Sequence, residues 1–126
     1  MRISKKGFTL IELVVVIAVL AVLAAIAIPV VTGVLNDAKA HVDDANANTI
    51  EASVKLYVTQ KDLTTVDASV IADALKEGGI DTEIAPQQTG KAFIVNSETL
   101  VVTVDDKPTS GDSVTNYDNV YVYVEE

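Results

Sequence analysis

The chain has 126 residues, 49% of them hydrophobic, no cysteine, and a formal net charge of −9. That length leaves room for one small domain, and the missing cysteines exclude a disulfide framework and any thiolate metal site. The acidic balance disfavours nucleic acid as a partner, because phosphate contacts draw on Lys and Arg.

The charge is unevenly placed. Arg2, Lys5 and Lys6 sit within the first seven residues, MRISKKG, and Glu12 is the only acid before Asp37. From Asp37 onward there are 6 Lys, no Arg and 17 Asp or Glu, so that part carries 6 − 17 = −11. Between these two regions runs FTLIELVVVIAVLAVLAAIAIPVV, where only Thr9 and Glu12 are polar and Leu13 to Val31 gives 19 uncharged residues. As a helix this is about 30 Å long, which matches a bilayer core. The run is too long for a secretory signal peptide and continues apolar past Pro29, where a cleaved signal would give way to polar sequence. A plain anchor fits the length but leaves Glu12 without a purpose. A carboxylate in an apolar span costs roughly 2.5–3.5 kcal/mol on insertion scales, so its default reading is functional. The basic residues ahead of the span predict a cytoplasmic N-terminus and an outer C-terminal part.

The stretch KKGFTLIELVVVIAVLAVLAAIAIP resembles the class III signal sequence of type IV prepilins and their pseudopilin relatives. The resemblance implies a leader, residues 1–7, cut by a prepilin peptidase between Gly7 and Phe8, with methylation of the new amine on Phe8. It implies that Glu12 and Pro29 serve assembly, within a membrane-spanning assembly helix at residues 8–36. Glu12 would meet the amine of a neighbouring Phe8, since a buried charge is tolerable when paired and costly when alone. Pro29 removes a helix hydrogen bond, so it predicts a kink or a weak point. Many relatives carry glycines in mid-helix; Ala18 and Ala21 stand here instead, and Ala favours the intact helix.

Residues 37–126 are expected to form the outer head. Ala38, Val42, Ala45, Thr49, Ala52 and Leu56 recur at 4, 3, 4, 3, 4 spacing, which predicts one helix from about Thr9 to Thr59 with that stripe buried. Asp43, Asp44, Asn46, Asn48 and Glu51 lie off the stripe. TTVDASVIADALKEGGI predicts a second helix, capped by Asp67 and stopped by a left-handed Gly78. The period then changes to two. Lys91 to Asn96, Thr99 to Asp105 and Asn119 to Glu125 read as strands, the first two as a hairpin, with a polar loop before the third. The expected fold is α+β: a long helix, transmembrane then amphipathic, packed on a small three-stranded antiparallel sheet, which is also what the pilin resemblance implies.

The sequence carries no nucleophile motif, phosphate loop or metal-type histidine spacing, so no enzyme is expected. Its one histidine, His41, falls on the amphipathic helix. Asp105, Asp106, Asp112, Asn116 and Asp118 offer hard oxygens suited to calcium, or equally make a solvated acidic loop. Tyr121 and Tyr123 share a strand face and suit either sheet packing or an outer contact. The leading expectation is a structural subunit that assembles with itself into a helical surface fibre for adhesion, motility or aggregation. Its partners would be the membrane before assembly, the prepilin peptidase and the pilus assembly machinery. The alternative is a major pseudopilin of a type II secretion or DNA-uptake system. A solitary membrane-anchored binding module is disfavoured, because it gains nothing from Glu12.

Overall fold

The computed structural model describes residues 7–80, 84–109, 112–114 and 117–123. The chain divides into two compact units, Met1–Asn36 and Asp37–Glu126. Helix α1, Leu10–Lys61, contributes to both. It is followed by α2 (Ala68–Glu77), β1 (Lys91–Asn96), β2 (Val102–Asp106), β3 (Asp112–Val114) and β4 (Tyr117–Tyr123).

In the first unit α1 is apolar on every side, and all its side chains are exposed. Its helical assignment runs through Pro29 without a break. Thr32 lies one turn on, and its hydroxyl donates to the carbonyls of Ile28 at 3.0 Å and Pro29 at 2.9 Å.

In the second unit α1 buries one face, made of Asp43, Ala47, Ile50 and Val54, with Tyr57 and Val58 packed partly against the core. The stripe expected to be buried is the other one. Ala38, Val42, Ala45, Thr49, Ala52 and Leu56 are all exposed, Leu56 by 59%. The helix has two apolar stripes. The bulkier one holds Ile50, Val54 and Val58, but a carboxylate begins it, so it reads as polar. That carboxylate is Asp43. It is fully buried, and it accepts hydrogen bonds from the Gln87 amide at 2.5 Å, the Gln88 amide at 3.0 Å and the Gln88 side-chain amide at 3.1 Å. A buried charge needs such donors, and here they clasp the loop before β1 to the helix.

Helix α2 begins as the sequence predicts. The Asp67 carboxylate accepts from the amides of Ser69 and Val70 and from the Ser69 hydroxyl, and Ile71, Ala74 and Leu75 face the core. Its stop differs by one residue. Gly78 is right-handed (φ −71°), and Gly79 takes the left-handed turn (φ +69°). Gly78 is required for closeness instead: a Cβ there would lie 2.9 Å from Ser53 Oγ on α1.

The α+β architecture follows the expectation, and all three expected strands form. The sheet has four strands, in the order β2-β1-β4-β3. β1/β2 and β3/β4 are antiparallel, but β1 and β4 run parallel, which corrects the all-antiparallel expectation. Period-two alternation is the same for either direction, so only the connection decides. β3 is three residues long, Asp-Ser-Val, and begins with a poor strand former, which is why it reads as loop. The β1/β2 hairpin is closed by Asn96, whose side-chain oxygen accepts from the amides of Glu98 and Thr99 while Leu100 turns left-handed (φ +58°).

The register explains the core. Val104, Phe93 and Val120 form one row across β2, β1 and β4, and Val102, Val95 and Val122 form the next. These rows face Ile50 and Val54 of α1 and Ile71 and Leu75 of α2 in one cluster. Thr103, Ile94 and Tyr121 form the alternate, outer row.

Candidate functional site

Gly7, Phe8 and Glu12, singled out in the sequence, gather at the start of α1, while Pro29 lies further along it. Gly7, Phe8 and Thr9 are non-helical and exposed, Phe8 by 93%. Among the described residues nothing lies within 4 Å of where a Gly7 Cβ would be. The Gly7–Phe8 bond thus sits in accessible, non-helical chain just ahead of the apolar helix.

The helix begins at Leu10 because Thr9 and Glu12 form a capping box. The Glu12 carboxylate accepts from the Thr9 amide at 2.8 Å and from the Thr9 hydroxyl at 3.0 Å. The Thr9 hydroxyl in turn accepts from the Glu12 amide at 3.3 Å. Each residue satisfies a donor that the first turn would leave unpaired. The T-x-x-E spacing ahead of an apolar run is the sequence signal for this box, and Thr9 is the residue that sequence reasoning passed over. Beyond it, residues 10–36 hold no charge but Glu12, and α1 is long and apolar enough to cross a membrane.

The head-side candidates do not converge. His41 is exposed on α1. Asp105 and Asp106 are exposed on β2, and both face the ammonium of Lys91, at 3.9 Å and 3.0 Å. Asp106, the nearer, is the main reason the Lys91 ammonium is held above its usual range. Asp118 is exposed on β4. The Asp112 side chain and Asn116 lie outside the described residues. Among the described residues no three His, Asp or Glu side chains are grouped to hold a metal ion. Of the tyrosines, Tyr117 is buried, with its hydroxyl donating to the Ile80 carbonyl at 3.3 Å. Tyr121 lies under the Lys107 ammonium, 5.8 Å from the ring centre, and Tyr123 is 56% exposed.

An apolar helix carrying one acid near its start, followed by a compact α+β head, defines a membrane-anchored subunit of pilin type. The sequence matches the family model described as the prokaryotic N-terminal methylation motif over residues 2–28. It is also similar to "Prepilin peptidase-dependent protein A" of Clostridium perfringens (strain 13 / Type A), 35% identical over 112 residues, covering 89% of this chain and 76% of the relative. No solved structure matches. The chain belongs to the type IV pilin and pseudopilin family, and its precursor is anchored in a membrane by the apolar helix.

Proposed function

We propose that this chain is a non-enzymatic structural subunit of a type IV pilus. A prepilin peptidase hydrolyses the Gly7–Phe8 bond, releasing residues 1–7 and leaving a free amine on Phe8, which is then methylated. The precursor sits in the cytoplasmic membrane with its N-terminus inside and residues 37–126 outside. Copies then leave the membrane by packing their helices into an extracellular helical fibre.

The observation that carries this reading is Glu12, one carboxylate on an exposed helix that is otherwise uncharged over residues 10–36. Cutting after Gly7 removes Arg2, Lys5 and Lys6 and creates a cation four residues from that acid. Glu12 then rewards the one stagger in which a neighbour's amine meets it and penalises the rest. The exposed stripe in the head half of α1 adds support. Its 4, 3, 4, 3, 4 spacing is a heptad seam, with Val42, Thr49 and Leu56 alternating with Ala38, Ala45 and Ala52. Such a seam fits a second helix at close approach, and another copy of α1 is the natural occupant.

Electron microscopy of expressing cells, labelled with antibody to residues 37–126, tests the proposal. Long labelled fibres are the expected result. Their absence under expressing conditions favours the short-fibre pseudopilin role. Glu12→Val is expected to insert and be processed yet give no fibres; normal fibres from that variant would remove the register role.

A further inference from the structure

The head leaves apolar side chains uncovered in two places, on different faces. Among its described residues the exposed large apolar side chains are Val42, Leu56, Val101 and Tyr123. The first two belong to the stripe on α1. The other two stand on the outer face of the sheet, on the side away from α1. Asn96 lies between them: its amide donates to the Val101 carbonyl at 3.0 Å, and it pairs with Tyr123 in the β1/β4 register. Alternation puts Ile94 and Thr103 on the same face. Ile94, Asn96, Thr99, Val101, Thr103 and Tyr123 line an open cleft of about 340 Å³, with β1, between β2 and β4, as its floor. None of these side chains carries a charge, although residues 37–126 hold 17 acids against 6 lysines. Heads that acidic repel one another, and a face without acids is where two can touch with least opposition.

We infer that this cleft is the face by which neighbouring fibres lie side by side, its occupant being the same cleft on a second copy of the chain. This rests on the fibre reading above. In that reading other helices take up the α1 stripe, and the opposite face of the sheet is left outermost on every copy. The contact is isologous, with the same residues on both sides. Its handful of side chains is far short of the roughly 20–30 residues a side that a stable pair uses, so two free subunits do not hold together through it. A fibre repeats the cleft at a fixed spacing. A second fibre of the same chain repeats it at the same spacing, so many weak contacts close at once. A partner without that repeat gains nothing from it, which is what selects a second copy over another occupant.

Sheared fibres from cells expressing the full chain with its own assembly machinery provide the test. Bundles are measured by low-speed sedimentation and by width in electron micrographs, at about 20 mM and about 500 mM salt. Wild-type fibres are expected to bundle, and more so at high salt, because screening weakens head repulsion and spares apolar contact. Val101 and Thr103 are exposed, so Val101→Glu and Thr103→Glu each place a carboxylate on the face without disturbing the core. Each is expected to lower the pelleted fraction about tenfold at unchanged fibre yield. Thr65→Glu adds the same charge to an exposed residue elsewhere on the head and should bundle like wild type. Bundling of both face variants at the wild-type level overturns the inference, as do bundles that salt disperses. Equal dispersal by Thr65→Glu would make net charge the cause and overturn it too. Loss of fibres in both face variants would place the cleft inside the fibre, against the inference. Single wild-type fibres that bind cellulose or chitin, and lose that binding with Val101→Glu, would hand the cleft to a neutral glycan instead. Wild-type cells without fibres remove the fibre reading and this inference together, whereas wild-type fibres that never bundle remove this inference alone.

Discussion

The two stretches of α1 bury apolar residues by different means. Over residues 10–36 every side chain is exposed within the chain, so lipid or other helices must supply the surroundings. Past residue 36 the same helix hides Asp43, Ala47, Ile50 and Val54 beneath the sheet and α2, and leaves Val42 and Leu56 bare. In the first stretch composition decides burial; in the second the fold does. An exposed valine therefore means one thing before residue 36 and another after it.

Matched substitutions on the two stretches are the strongest way to break this contrast. Ile50→Ala should destabilise the head by about 2–5 kcal/mol, whereas Ile17→Ala should leave head stability within about 0.5 kcal/mol. Denaturant unfolding of the full chain in detergent, followed by tyrosine fluorescence, measures both. Equal effects would mean that the head does not fold independently of the apolar stretch. Next in size is Asp43→Ala, expected to cost about 2–3 kcal/mol by stranding the Gln87 and Gln88 amides. Amide hydrogen exchange should show residues 84–90 losing protection first, and unchanged exchange there would refute the clasp. Leu56→Ala sharpens the contrast from the other side. It should move head stability by less than about 0.5 kcal/mol while lowering fibre yield, because Leu56 lies on the proposed seam and outside the core.

The smallest effect is in acid. Asp67 is held below the ordinary carboxylate range first by the Ser69 hydroxyl and then by the Val70 amide, and Glu51 first by Lys55 and then by the Val102 amide. A group whose pKa is lowered on folding stabilises above its unfolded value and stops doing so as pH falls through the folded one. Head stability should therefore drop below about pH 4. Asp67→Asn keeps the cap without the charge, so its acid limb should be shallower; an identical limb would mean that Asp67 takes no part.

The apolar span, the Asp67 cap and the β1/β2 hairpin were legible in the sequence because each is local. A run of nineteen uncharged residues, a polar cap before an apolar face and an Asn-closed turn all declare themselves within a few positions. The buried face of α1 was not legible. Asp43 looks solvated until the amides more than forty residues away are brought to it, and no local pattern announces them. The direction of β4 was hidden for a similar reason, since alternation records which face a strand shows and not which way it runs. At the helix start the reading of Glu12 was chemical and looked outward to a neighbour. Its first partner lies three residues back, in a T-x-x-E signature that was available throughout.

One contact in the head bears on how copies can meet at all. Glu51 reaches from α1 to accept the Val102 amide at 3.1 Å, while its other oxygen holds Lys55. β2 is an outer strand of the sheet, and that amide points away from β1. The Asp106 amide, further along the same side, is taken by the Asp105 carboxylate at 2.7 Å. An open strand margin is a template on which another chain can add by backbone pairing, the route to amyloid-like stacking. Molecules meant to crowd side by side in a filament are the ones most exposed to that accident. With carboxylates seated on the Val102 and Asp106 amides and acids along its length, this margin disfavours pairing with a neighbour's backbone.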